Sequence, residues 1–94
     1  MPVLSKKQQK KIEQYFFAVA AGADPDGWRQ PIQSVWIKYK GNRMAEAMYR
    51  RYVIKENWRI TCRKMNISQN VFFNWHRDFL ISAALAGARA GLDI

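Results

Sequence analysis

Apolar residues recur along this chain at helical spacing and nowhere alternate in the manner of a strand. A period of 3.6 buries one face of a helix, whereas a period of 2 buries one face of a sheet, so this pattern sets the fold class. Residues 5–21 put Ile12, Phe16, Val19 and Ala20 on one stripe, with Tyr15 at its edge. Residues 31–40 put Ile32, Val35, Trp36 and Tyr39 at i, i+3, i+4 and i+7. Residues 43–56 carry two adjacent stripes, Met44-Met48-Tyr52 and Ala45-Tyr49-Val53, as expected of a helix packed on two neighbours. Residues 58–65 read as a short helix, and a long one follows from Ser68 to about Ala90, ahead of Gly91. The sequence therefore predicts an all-α bundle of about five helices and no sheet.

The breaks between these segments are chemically marked. Gly22 to Gly27 reads Gly-Ala-Asp-Pro-Asp-Gly, a turn-rich stretch, and Pro31 suits a first helical turn. Gly41 can end one helix and Asn42 can cap the next, while Ser5 and Ser68 are also placed as N-caps. With 94 residues the chain has room for one core, so residues 1–94 are expected to form a single domain. Within it, residues 1–40 make an N-terminal helical part and residues 42–92 a second part.

Composition removes several function classes. One cysteine, Cys62, cannot make a disulfide framework, and with one histidine, His76, it cannot complete a Cys2His2 metal site. The seven carboxylates are scattered, and only Asp24 and Asp26 are close together, in the turn. No nucleophile–base pair or metal set can be assembled, so an enzyme is the least favoured class and no cofactor is expected. Cys62 is read as a small packing residue, and His76 as a surface residue in reach of phosphate. The longest apolar run, Phe16 to Ala21, is six residues, against the roughly 18 needed to cross a bilayer. Met1 to Lys7 lacks the pattern of a secretory signal.

The informative stretch is Trp58 to Arg77. A helix-turn-helix needs a short helix, a tight turn and a second helix that enters a groove of DNA. Close packing of the two helices requires a small residue midway along the first and apolar anchors on either side of the turn. Cys62 is the small residue, and Met65 and Ile67 are the anchors. Asn66 stands where the chain must turn, and Asn tolerates the left-handed region better than most residues. Phe72, Trp75 and Phe79 then point inward, which leaves Gln69, Asn70, Phe73, Asn74 and Arg77 facing out from a long C-terminal recognition helix. Asn and Gln can bond bidentately to adenine and Arg to guanine, and Phe73 can touch a thymine methyl. These five are the candidate base contacts. Arg59, Arg63, Lys64, Ser68 and His76 are the candidate contacts to the DNA backbone.

The segment Tyr52-Val53-Ile54-Lys55-Glu56-Asn57-Trp58, followed by Cys62, Met65-Asn66-Ile67-Ser68 and Phe73-Asn74-Trp75, looks like the promoter-reading domain of bacterial sigma factors. It resembles more strongly the small phage and prophage transcriptional regulators of the RinA and ArpU type, whose long final helix often ends, like Ala90-Gly91-Leu92 here, in Gly-Leu. The resemblance covers about residues 42–92. It departs at Asn66, where Gly is usual, at Thr61, where an apolar residue is usual, and at the large Phe73. It implies a sequence-specific DNA-binding regulator that activates transcription, with double-stranded DNA and RNA polymerase as partners, in the bacterial cytoplasm and at the nucleoid when bound. Two other readings stand beside it: a small terminase subunit that marks phage DNA for packaging, and an adaptor that grips RNA polymerase or another acidic protein without reading DNA.

Charge agrees with a polyanionic partner. The chain carries a net charge of +9, and residues 38–64 hold nine cations (Lys38, Lys40, Arg43, Arg50, Arg51, Lys55, Arg59, Arg63 and Lys64) against Glu46 and Glu56. Lys6, Lys7, Lys10 and Lys11 make a second cluster. Finally, Ala83, Gly87 and Gly91 recur every four residues, a register that permits close approach of another helix. Two readings stand for this face: a homodimer seam, or a seat for the first helix. The habitual dimerisation of small DNA-reading domains favours the seam.

Overall fold

The computed structural model describes residues 4–93; Met1 to Val3, part of the opening segment weighed above as a signal, and Ile94 lie outside the described residues. Five α-helices follow one another: α1 (Lys6–Ala20), α2 (Arg29–Lys38), α3 (Arg43–Tyr52), α4 (Trp58–Met65) and α5 (Gln69–Arg89). A single 3-10 turn, Pro25–Gly27, sits in the Gly-Asp-Pro link between α1 and α2. The fold class is the all-α one that the helical period predicts, with no strand among the described residues.

Each of the three expected caps is made. Ser5 accepts the Gln8 amide while Gln8 Oε1 accepts the Ser5 amide, a reciprocal capping box at 3.1 and 2.9 Å. Asn42 Oδ1 accepts the Met44 amide at 2.8 Å, and Ser68 Oγ accepts the Val71 amide at 3.2 Å. At the far end, Gly91 adopts a φ of 78°, which lets the Leu92 amide reach back to the Gly87 carbonyl at 2.9 Å and closes α5.

The core is aromatic. Phe16 of α1 is fully buried and stacks on Tyr52 of α3 at 4.8 Å and on Phe79 of α5 at 5.1 Å, with the edge of Trp36 from α2 at 6.0 Å. One ring thus gathers four helices. Ile12, Ile32, Val35, Met48, Phe72 and Leu80 fill the space around it. The Tyr39 hydroxyl also meets the Ser82 hydroxyl at 2.8 Å, fixing the end of α2 against α5.

Two expectations about packing are corrected. Helix α3 ends at Tyr52, not at residue 56, and fully buries only Ala47, Met48 and Tyr52, with Met44 partly buried. The second stripe stays largely open, with Tyr49 49% and Val53 40% exposed. Val53 to Asn57 instead forms the link to α4, with Lys55 at a φ of 61°. The second correction concerns the small residues of α5. Ala83 is fully buried, and Gly87 lies beneath Trp28, whose ring stacks on Tyr15 at 4.9 Å. The stripe is therefore occupied from within the chain, by the indole that precedes α2. Of the expected dimer face only Gly91 remains exposed.

A Cβ built at Gly87 overlaps the Trp28 ring, and Trp28 is only 1% exposed, so the ring has nowhere to swing. Replacing a mid-helix Gly with Ala gains about 1 kcal/mol in helix propensity. Overpacking a filled core costs about 1–3 kcal/mol, and here the obstacle is a rigid buried ring. Gly87→Ala is therefore expected to destabilise the fold by ~1–2 kcal/mol net, read as a lower urea midpoint, with increased solvent exposure in the tryptophan emission. An unchanged or raised midpoint contradicts the packing described.

Candidate nucleic-acid interface

The link between α4 and α5 is built by local chemistry. Asn66 adopts φ 55° and ψ 50°, the left-handed conformation expected of it. That reversal lets the Ile67 amide bond the Cys62 carbonyl at 3.0 Å, while Met65 is buried and Ile67 packs against the core. The Arg43 guanidinium donates to the Met65 carbonyl, satisfying an acceptor at the end of α4. Cys62 is half-buried, with Sγ 3.8 Å from the Ser68 carbonyl, and burial pushes its thiol pKa up. A neutral thiol suits the packing role read from the sequence.

Thr61, the polar residue in a usually apolar position, is completely buried. Its hydroxyl donates to Glu56 Oε1 at 2.8 Å, and Glu56 is also paired with Lys64 at 3.1 Å and Arg50 at 3.5 Å. Asn57 caps α4 by accepting the Arg59 amide at 2.9 Å. A buried polar group that keeps its partner costs little, so this departure from pattern is absorbed by the loop before α4.

Gln69, Asn70, Phe73, Asn74 and Arg77 are all exposed and lie along one face over the first turns of α5. Arg77 is only loosely engaged, 3.8 Å from its half-buried neighbour Asp78. Phe73 is held by the edge of Trp58 at 5.2 Å, and the Arg59 guanidinium lies over Trp58 at 4.8 Å. Arg59, Trp58 and Phe73 thus form a ridge joining α4 to α5. The Trp58 ring is partly exposed in this ridge, a placement the helical period alone does not mark. The neighbouring Arg59 was the available signal, because cations beside aromatics favour stacking at the surface. Arg63, Lys64 and Ser68 are exposed at the end of α4 and in the turn, alongside this ridge.

His76 is the correction. Its side chain is only 12% exposed and points away from that face, into a polar cluster between helices. Glu13 Oε1 accepts from Arg51 Nη2 at 2.8 Å and Nε at 3.1 Å, from the Tyr52 hydroxyl at 3.1 Å, and lies 3.0 Å from His76 Nε2. His76 Nε2 is also 2.8 Å from the Tyr52 hydroxyl. His76 therefore leaves the set of backbone contacts and becomes a tie between α1, α3 and α5. Arg50 and Arg51 are likewise half-buried and committed to Glu56 and Glu13, whereas Lys38, Lys40, Arg43, Lys55, Arg59, Arg63 and Lys64 are exposed, Arg43 bonding the Met65 carbonyl and Lys64 pairing with Glu56. Within residues 38–64 the exposed cations therefore sit on α4 and at the ends of and links around α3.

Comparison of the chain with protein-family models, with curated proteins and with solved structures found no match.

Burial alone would raise the Glu13 pKa, but the hydrogen bonds and charges of His76 and Arg51 outweigh it and hold the carboxyl at about 2, below its ordinary 4.5. A depressed carboxyl stabilises the fold above its unfolded pKa and loses that stabilisation as pH falls through its folded pKa. Stability is thus expected to decline between about pH 4.5 and 2, by ~1–2 kcal/mol from this half-buried, solvent-screened group. Glu13→Gln is expected to flatten that part of the pH profile of urea unfolding, and to lower stability at neutral pH. An identical acid limb in the variant contradicts the assignment.

Proposed function

We propose that the chain binds double-stranded DNA through the α4–turn–α5 unit and acts as a sequence-specific transcriptional regulator of the phage and prophage kind that residues 42–92 resemble. The observation that carries this reading is the exposed face of α5. It presents Gln69, Asn70, Asn74 and Arg77, all capable of hydrogen bonding base edges, beside the cations Arg59, Arg63 and Lys64 of α4. Base-reading groups with cations beside them are what a major-groove reader requires, because base contacts specify and phosphate contacts position.

Roles divide accordingly. Arg77 offers a fork for guanine, and the amides of Asn70, Asn74 and Gln69 suit adenine. Phe73, braced by Trp58, offers an apolar edge for a thymine methyl. Ser68 and the free amides of the first turn of α5 face a phosphate with the positive end of the helix dipole. RNA polymerase is the natural second partner of an activator, and the exposed apolar side chains of Tyr49, Val53 and Ile54 are available beside the DNA-binding unit.

The test is binding of the full chain to random-sequence duplex DNA, followed by fluorescence anisotropy across a salt series, and then selection of preferred sites. Affinity falling steeply with salt supports the reading. No binding at low salt overturns it and reassigns the basic surface to an acidic protein. On a selected site, Arg77→Ala is expected to cost ~1–3 kcal/mol at one base position and to relax the preference there. Lys64→Ala is expected to weaken all sequences alike and to reduce the salt slope by about 1.

A further inference from the structure

We infer that the amino-terminal turns of α1 are a second phosphate-contacting surface, which grips the DNA backbone flanking the segment read by α5. This rests on the DNA-binding reading above and assigns a role to the otherwise unassigned first helix. Two contacts place α1 against the middle of α5. Glu13 meets His76 at 3.0 Å, and Phe16 meets Phe79 at 5.1 Å. Lys10 and Lys11 lie within one turn of Glu13, whose partner His76 is flanked on α5 by the exposed Asn74 and Arg77. Leu4, packed against the core, anchors the start of α1 to the bundle. Lys10 and Lys11 are thus held close to the segment of α5 that presents its polar face, with Lys6 and Lys7 one turn further along α1.

Their chemistry points to an anion. Lys6, Lys7, Lys10 and Lys11 are all exposed, and among the described residues none of them forms an ion pair. The first turn of α1 holds no acidic residue. Cations at a helix N-terminus oppose the helix dipole, and Lys6–Lys10 and Lys7–Lys11 are like-charge pairs at i,i+4. The cluster therefore works against the helix that carries it, and the reciprocal cap of Ser5 and Gln8 holds that turn together regardless. Four mutually repelling ammonium groups beside a groove-reading helix fit the regularly spaced phosphates of a duplex.

The experiment compares the full chain, a quadruple variant Lys6→Gln/Lys7→Gln/Lys10→Gln/Lys11→Gln, and a control Arg29→Gln/Arg89→Gln. Arg29 and Arg89 are exposed near the opposite end of α5. Each protein is titrated onto a random-sequence duplex of about 30 base pairs over a salt series. The lysine variant is expected to lose affinity by about tenfold or more, and its salt slope is expected to fall by about 0.9 for each phosphate contact removed, up to about 3.6 for all four. The control is expected to keep the slope of the parent, and thermal unfolding of the lysine variant is expected at or above the parent Tm. An unchanged slope in the lysine variant, or an equal loss per charge in the control, overturns the inference while leaving the role of α5 intact. Failure of the parent chain itself to bind overturns both.

Discussion

Phe16 touches a ring from each of α2, α3 and α5, and the rest of the molecule is arranged around that contact. A fully buried Phe stabilises a fold by roughly 3–5 kcal/mol, judged by what its removal costs. Its stacking partners are what orient α3 and α5. One turn earlier on the same helix, Glu13 gathers Arg51, Tyr52 and His76. The apolar stack supplies free energy and the polar cluster supplies angle, since a carboxylate with three directed partners tolerates little rotation of the helices that bring them. Helix α4 takes no part in either. It is held through Thr61, Met65 and the Arg43 bond to its last carbonyl, so it rides on α3 and α5 and takes its position from them.

This arrangement divides α5 in two. Its middle and C-terminal turns, from Phe79 to Gly87, are clamped between α1, α2 and the Trp28 indole. Its first two turns carry Phe72 inward but leave the opposite face open. A helix clamped over its distal half projects its proximal half with little freedom to reorient. That rigidity suits a unit meant to present amides and a guanidinium at fixed spacing, because loosely held side chains spend entropy on ordering when they meet a partner.

What was legible in the residues follows the range of the interaction. Ser5, Asn42 and Ser68 each cap an amide two or three residues away, and Asn66 turns the chain by its own backbone preference. Such local signals survive in the sequence. His76 was misread because its partner Glu13 lies 63 positions away, and nothing in the neighbourhood of Trp75-His76-Arg77 marks it as inward. The small residues of α5 signalled close approach correctly but not what approaches. A seam for a second copy and a seat for a tryptophan require the same lack of side chain. The end of α3 was overextended because Val53 and Ile54 continue its apolar pattern after the hydrogen bonds have stopped. The exposed face of α5 was readable because it is defined by the period of the helix, whereas the ridge of Arg59, Trp58 and Phe73 depends on how two helices meet.

The Trp28 indole resting on Gly87 joins two points almost sixty positions apart, so its pocket does not exist until the chain through Gly87 is available. During synthesis the first two helices must wait, with a large aromatic ring uncovered, for the last turns of α5 to leave the ribosome. The seat of Trp28 is therefore among the last parts of the core that can close. A chain interrupted anywhere before Gly87 leaves Trp28 exposed, an apolar surface of the kind that chaperones and proteases recognise in incomplete proteins.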